Sequence, residues 1–171
     1  MTYDFDSLSA IFAQIPFDGR EKMIEAIQTH KRIFLYGAGR SGLMIKAFAM
    51  RLAQAGYTVF AVGEVTTPAI AEGDLLILAS ASGETASVLR YAETAKAMNA
   101  TVLALTATAD GALAQTADVV IHLSAPTKNE PQKGSIMGTL FEQSVLLFGD
   151  AVIEALGANT EKMRARHANL E

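Results

Sequence analysis

Three hydroxyl side chains lie in one short segment, Ser80-Ala81-Ser82-Gly83-Glu84-Thr85, between an apolar run and a stretch of helical character. Serines two residues apart project to the same side of an extended chain, and Gly83 lets a ligand approach the backbone closely. The start of a helix offers unpaired amides and the positive end of its dipole, which favour an anion. The segment therefore predicts a phosphate site built on Ser80, Ser82 and Thr85. The alternative is ordinary capping by Ser82, which would use one hydroxyl of the three.

A glycine-rich turn, Gly37-Ala38-Gly39-Arg40-Ser41-Gly42, follows another apolar run and opens another helical stretch. It fits the G-x-G-x-x-G pattern of dinucleotide folds, and Glu64 lies about where such folds keep a ribose-binding acid. A nicotinamide- or flavin-dependent oxidoreductase therefore stays open, although the sequence leaves no room for a substrate domain of the usual size. The structural alternative is a turn that only packs a helix on a strand. If the two turns are neighbours, Ser41 faces the same anion.

Glu142 is the candidate general base. On a helical projection it falls at the edge of a polar stripe, beside the apolar arc that contains Val145 and Val152. A partly desolvated carboxylate at such a boundary is a better proton acceptor near neutral pH. Periodicity alone favours the other interpretation, a solvated glutamate at a helix edge.

The histidines are weaker candidates. His167 shares a helical face with Met163 and Leu170, and a tail with such a stripe is expected to dock on its own core or on another subunit. His122 lies in a predicted buried strand and is more typical of a core histidine than of a catalyst.

Composition excludes several classes of protein. The chain has 171 residues, half of them apolar, with no Cys and a net charge of −4. These values predict one domain with a real core, no disulfide or thiolate chemistry, and no general binding of nucleic acid or acidic membranes. The acids in segment 1–6 do not fit a targeting peptide. Three acids interrupt the apolar segment 136–156, so this segment is not expected to span a membrane. We expect a soluble cytoplasmic protein without a metal or redox cofactor.

Short apolar runs alternate with helical patterns along most of the chain. Strands are predicted at 33–36, 58–62, 75–79, 101–105 and 119–123. Helices are predicted at 7–30 with a break near Pro16, and at 41–55, 86–99, 109–116 and 135–156, before a charged tail at 160–171. Strands that are apolar on both faces indicate a parallel sheet covered by helices on two sides, a doubly wound α/β three-layer sandwich. In the strand order 2-1-3-4-5 the two turns meet at the switch point. The polar loop 124–133 is long enough to suggest a functional role.

These segments resemble the sugar isomerase (SIS) domain family, through the pairing of Gly-x-Gly-Arg-Ser-Gly with Ser-x-Ser-Gly-Glu-Thr. The resemblance extends over nearly the whole chain to the SIS enzymes that interconvert D-arabino-3-hexulose 6-phosphate and D-fructose 6-phosphate, the second step of formaldehyde fixation by the ribulose monophosphate pathway. The segments that carry it are Tyr36-Gly37-Ala38-Gly39-Arg40-Ser41-Gly42, Thr66-Thr67-Pro68-Ala69-Ile70, Leu140-Phe141-Glu142-Gln143 and Arg166-His167-Ala168-Asn169-Leu170-Glu171. One departure is Ser135-Ile136-Met137-Gly138, which is two residues shorter than the usual Ser-Ile-Gln-Pro-Met-Gly.

The resemblance implies a single SIS domain over 1–171, with its α/β core at 32–157, and specific roles for residues. Glu142 would be the proton acceptor, and His167 a helper that reaches a neighbouring subunit's site. The phosphate would be surrounded by Ser41, Ser80, Ala81, Ser82, Gly83, Glu84 and Thr85. It also implies no cofactor, a homo-oligomer (dimer or tetramer) with sites near subunit interfaces, and functional coupling to 3-hexulose-6-phosphate synthase. Another SIS sugar-phosphate isomerase, or an SIS module that binds a sugar phosphate without turnover, is the alternative.

Overall fold

The computed structural model describes residues 5–15, 17–130 and 136–170. Within these residues the strands are β1 (Arg32–Gly37), β2 (Thr58–Ala61), β3 (Leu75–Ala79), β4 (Thr101–Thr106) and β5 (Val119–His122). The helices are α1 (Phe5–Gln14), α2 (Phe17–Thr29), α3 (Gly39–Ala55), α4 (Ala86–Ala97), α5 (Ala112–Thr116), α6 (Thr139–Ala155) and α7 (Thr160–Ala165). None of the helices in this part of the chain combines the length and the apolarity needed to cross a bilayer.

The strands form one parallel sheet in the order β2-β1-β3-β4-β5. This order confirms the predicted doubly wound topology. β3 lies at the centre of the sheet and is buried along its whole length, as an unbroken apolar strand requires when helices cover both faces. The register pairs Gly37 at the end of β1 with Ala79 at the end of β3. The two predicted turns therefore leave the sheet side by side.

Alternate residues of each strand supply two separate cores, because side chains of a strand point to opposite faces in turn. Ile33 and Leu35 of β1 pack in the larger core with residues of α1, α2, α3 and α6. Phe34, between them, packs in the smaller core with residues of α4 and Leu113 of α5. The sheet is thus the middle layer of three, and α3, α4 and α6 all begin near the carboxyl ends of the central strands.

Two helices begin several residues later than predicted, for identifiable reasons. The long helix was predicted from residue 135 but begins at Thr139, because Met137 and Gly138 adopt left-handed backbone angles (φ 55° and 81°) that are incompatible with an α-helix. Its predicted first residue, Ser135, lies outside the described residues, as does Pro16. Helix α5 is shorter than predicted, because extended Gly111 is its N-cap. Gly56 ends α3 in a left-handed conformation, as predicted.

Candidate active site

The carboxyl ends of β1 and β3 form the floor of an open cavity of about 140 Å³. The turn after each strand supplies one wall, and the start of α6 with part of the loop before it closes the third side. The lining residues are Ala38, Ser41, Ala79, Ser80, Ala81, Ser82, Thr85, Thr127, Lys128, Met137, Gly138, Phe141 and Glu142. Five of the residues singled out from sequence for phosphate binding thus lie together with the predicted base.

The glycine-rich turn packs more tightly than any side chain would allow. A Cβ atom on Gly42 would lie 2.4 Å from the carbonyl oxygen of Gly37, so α3 can approach β1 this closely only with glycine here. This close approach places Ser41 at the cavity wall. Glu64, the candidate ribose acid, instead forms an exposed ion pair with Lys46 (Oε1 to Nζ 2.5 Å). The hydrogen bond from Lys46 holds the pKa of Glu64 below its ordinary value.

The hydroxyls of the second turn are not used as a helix cap. Thr85, rather than Ser82, is the N-cap residue of α4, and its side chain makes no capping hydrogen bond. The Thr85 Oγ1 lies 3.0 Å from the Oγ of Ser80, which is almost fully buried. The Ser82 Oγ accepts a hydrogen bond from the Glu84 amide at 3.2 Å. Capping therefore does not account for these hydroxyls, which line the cavity.

Three helices begin at this cavity. Their N-cap residues, Ala38 of α3, Thr85 of α4 and Gly138 of α6, all line it, and none gives its helix a side-chain cap. The first amides of a helix have no partner within that helix, and its dipole is positive at this end. Lys128, on the loop after β5, adds a cation. The arrangement favours an anion in the cavity.

Glu142 lies in the first turn of α6, with only 9% of its surface exposed. The interpretation as a solvated helix-edge glutamate is therefore wrong. Its Oε2 accepts a hydrogen bond from the Nε of Arg40 at 2.5 Å. The carboxylate is thus shielded from bulk water, paired with one cation and turned toward the cavity, where it can exchange a proton with a bound ligand.

The structure does not bring three of the predicted site residues to the cavity wall. Gly83 is buried, and its amide donates to the Ser80 carbonyl oxygen at 3.3 Å, which shapes the turn. The Glu84 carboxylate accepts a hydrogen bond from the Ala112 amide at 2.8 Å and so stabilises the start of α5. The side chain of His167 is exposed, with its Nδ1 3.0 Å from the Ala168 carbonyl oxygen.

The C-terminal segment that carries His167 is held against α3 by the preceding residue, Arg166. The Arg166 guanidinium donates to the Gln54 carbonyl oxygen at 3.1 Å and lies against Gly56 at the end of α3. His122, in contrast, is half-buried, with its Nε2 2.9 Å from the Ala107 carbonyl oxygen and its Nδ1 3.1 Å from the Ser124 hydroxyl. Both ring nitrogens of His122 therefore have partners, and the residue is not among those that line the cavity.

Sequence reasoning missed several residues of the site. Arg40 lies inside the glycine-rich motif, so its proximity to Ser41 was a signal that could have been used. Thr127 and Lys128 belong to the loop whose length suggested a function, but length does not say which of its residues point inward. Among the residues that the structure describes, no three His, Asp or Glu side chains are grouped so that they could hold a metal ion.

The domain model that matches the chain is the SIS domain, over residues 26–148. The protein belongs to the SIS domain family, as the paired turns indicated.

Within the family, the chain is similar to proteins named 3-hexulose-6-phosphate isomerase. It is 43% identical to the one from Bacillus subtilis, over 93% of this chain and 90% of the relative. It is 44% identical to the one from Mycobacterium gastri, over 82% of this chain and 74% of the relative. Among solved structures, a Methanococcus jannaschii protein with an inferred function of 3-hexulose-6-phosphate isomerase is 36% identical. It superposes with a TM-score of 0.85, over 96% of this chain and 93% of that one.

Proposed function

We propose that this protein is a 3-hexulose-6-phosphate isomerase, which interconverts D-arabino-3-hexulose 6-phosphate and D-fructose 6-phosphate. The observation that carries the proposal is one cavity in which an anion site and a shielded carboxylate, Glu142, face the same space. Relatives named for this activity, about 40% identical over most of their length, support it. The same proposal places the chain in the ribulose monophosphate pathway, where 3-hexulose-6-phosphate synthase would supply its substrate.

The phosphate is proposed to lie between the two turns. Ser41, Ser82 and Thr85 line that part of the cavity with the buried hydroxyl of Ser80. Hydroxyls and the first amides of α3 and α4 can donate to phosphate oxygens, and the helix dipoles stabilise its charge. A fixed phosphate keeps the reacting carbons of the same sugar at a set distance from it. Less entropy is therefore lost when these carbons are positioned for reaction.

Glu142 is proposed as the base that moves the proton between carbons. It takes the proton from C2 of the open-chain 3-ketose, the C–H electron pair becomes the C2–C3 double bond, and the carbonyl electrons move to O3. The cis-enediolate then takes a proton on O3 and loses the one on O2. Glu142 returns its proton to C3 as the carbonyl forms at C2. The sequence of steps needs no oxidant or reductant, because electrons only move within the substrate.

His167 and the assembly belong to the same proposal. We infer a homo-oligomer, a dimer or a tetramer, in which His167 of one subunit assists proton transfer between oxygens at its neighbour's site. The exposed position of His167 supports this, and so do the exposed apolar side chains Leu43, Met50 and Leu147 on α3 and α6. We also infer that residues 1–171 act as one SIS domain and that the protein works in the cytoplasm.

Subunit mixing tests the shared site. Glu142→Gln and His167→Ala each remove one proposed group, so each variant alone should be nearly inactive. If the two groups meet across an interface, mixed oligomers contain some sites with both groups intact and regain activity. Mixtures that stay inactive, while native mass spectrometry with one variant isotopically labelled shows exchange of subunits, would place both groups in one chain or remove His167 from the reaction.

The activity itself is tested by supplying 3-hexulose 6-phosphate to the purified protein and following fructose 6-phosphate through a coupled dehydrogenase. Arabinose 5-phosphate and sedoheptulose 7-phosphate, assayed in parallel, distinguish other SIS isomerases. A protein that is stabilised by fructose 6-phosphate but converts none of these sugars would be a binding module. A rise in melting temperature with NAD(P) but not with fructose 6-phosphate would instead favour the dinucleotide alternative.

A further inference from the structure

Arg40 links the glycine-rich turn to the start of α6, beside the cavity. It lies between Gly39 and Ser41 in the glycine-rich turn, at the start of α3, while its Nε reaches across to the Oε2 of Glu142 at 2.5 Å. The backbone that places Ser41 at the anion site therefore also fixes the cation beside the proposed base.

The two partners differ strongly in exposure. The Arg40 side chain is 65% exposed and that of Glu142 is 11% exposed. An exposed pair contributes little to stability, whereas a shielded carboxylate that loses its partner is left uncompensated. Only the Nε of Arg40 has a hydrogen bond to the described part of the chain. Its Nη groups make none there and can therefore approach a ligand or water.

Few other charges face Glu142. Lys128, on the loop after β5, is the other ionisable residue that lines the cavity among the described residues. No ionisable side chain of α1 or α2, which also pack against α6, is among the lining residues. On α6 itself, Asp150 and Glu154 are exposed and two to three turns further along the helix. Arg40 is thus the cation in direct contact with the base.

We propose that Arg40 is a positioning residue for the isomerisation, which holds the carboxylate of Glu142 directed at the substrate. This inference rests on the proposed function. Proton abstraction moves one negative charge from Glu142 to the enediolate oxygen, while the guanidinium stays in place. A fixed cation next to both positions stabilises the charge before and after the transfer, without the reorganisation that water would need. Because the guanidinium has several N–H donors, its Nε can stay hydrogen-bonded to Glu142 while an Nη group faces the substrate.

Arg40→Met tests the proposal, with Arg51→Met as its matched control. Arg51 is also an exposed arginine of α3, and its guanidinium donates to the Gln54 side chain rather than to the site. We expect Arg40→Met to lower kcat roughly 100-fold or more, with KM little changed because the phosphate is held elsewhere. Guanidinium ions, below denaturing concentrations, should restore part of the rate, and Arg40→Lys should retain more activity than Arg40→Met.

A second readout does not depend on turnover. The carboxyl ¹³C signal of Glu142, assigned by its loss in Glu142→Gln, should shift at a fixed pH in Arg40→Met but not in Arg51→Met, because only Arg40→Met removes its hydrogen-bond donor. If the wild type has no isomerase activity, the proposed function fails while this ¹³C signal still tests the pairing. If the wild type is active and Arg40→Met has an unchanged kcat, the inference about Arg40 is wrong and the proposed function still stands. The same holds for a raised KM at normal kcat, which would make Arg40 a phosphate ligand, or for an unchanged ¹³C signal of Glu142.

Discussion

Replacement of Asp74 by asparagine is expected to lower the free energy of unfolding by roughly 3 kcal/mol at neutral pH. Asp74 is 4% exposed at the start of β3. Its carboxylate accepts from the Arg32 Nε at 2.8 Å, from the Arg32 Nη2 at 2.5 Å and from the Ala71 amide at 2.7 Å. Asparagine keeps one acceptor but, in either orientation of its amide, places an NH₂ group against at least one of these donors. Because Arg32 is one-third exposed, water partly compensates its charge, and the loss stays below that of a fully buried pair.

The loss should depend on pH in a defined direction. Burial raises the pKa of Asp74, but the hydrogen bonds from Arg32 and the Ala71 amide outweigh it and hold the pKa below its ordinary value. A carboxylate with a depressed pKa stabilises the fold above its unfolded pKa of about 3.9, and this contribution is lost as the pH falls through the lower folded value. The difference between wild type and Asp74→Asn should therefore be full at neutral pH and shrink below about pH 4.

Urea unfolding followed by circular dichroism across this pH range measures the difference directly. Glu72→Gln is the matched control, since it removes an acid from the same loop at an exposed position, and it should change stability by less than about 0.5 kcal/mol. An Asp74→Asn variant as stable as the control at neutral pH, or a loss that stays constant into the acid range, would refute the reasoning.

Two further predictions concern the turns that hold the anion. Gly42→Ala places a methyl group 2.4 Å from the Gly37 carbonyl oxygen; since backbone must move, we expect a loss of about 3 kcal/mol in stability and weaker binding of phosphorylated sugars. A melting temperature and fructose 6-phosphate affinity equal to wild type would contradict the packing argument. Ser82→Ala should weaken the binding of sugar phosphates roughly 10-fold, because one hydrogen bond to a charged group is lost. Calorimetry measures this affinity, and Ser9→Ala, at an exposed position of α1, should leave it unchanged. Unchanged affinity would remove Ser82 from the phosphate site.

Much of the fold could be predicted because the strands are apolar on both faces. That pattern indicates a parallel sheet between two layers of helices, and the sheet in the order β2-β1-β3-β4-β5 confirms it. The order also brings the glycine-rich and hydroxyl-rich turns together, since β1 and β3 are paired. Local patterns could not place the start of α6, because the left-handed angles of Met137 and Gly138 arise in a loop with no periodic signal.

The site was harder to predict than the fold because side-chain burial depends on distant partners. Periodicity placed Glu142 at a boundary and favoured solvation, but α3 packs beside α6 and brings Arg40 onto its carboxylate. Glu84 was predicted to belong to the site, but the structure turns it away. It adjoins the hydroxyls in sequence, yet its carboxylate is turned to the Ala112 amide of α5. In both cases the deciding contact joins residues far apart in the chain.

The conversion of 3-hexulose 6-phosphate to fructose 6-phosphate by wild type and Glu142→Gln tests the central proposal most directly. The wild type should turn the sugar over, and Glu142→Gln should lower kcat by roughly 10²- to 10⁴-fold with a modest effect on substrate affinity. Glu154→Gln, an exposed acid on the same helix, should behave like the wild type. A wild type without turnover would contradict the isomerase function, and a Glu142→Gln variant with near-normal kcat would remove Glu142 as the base.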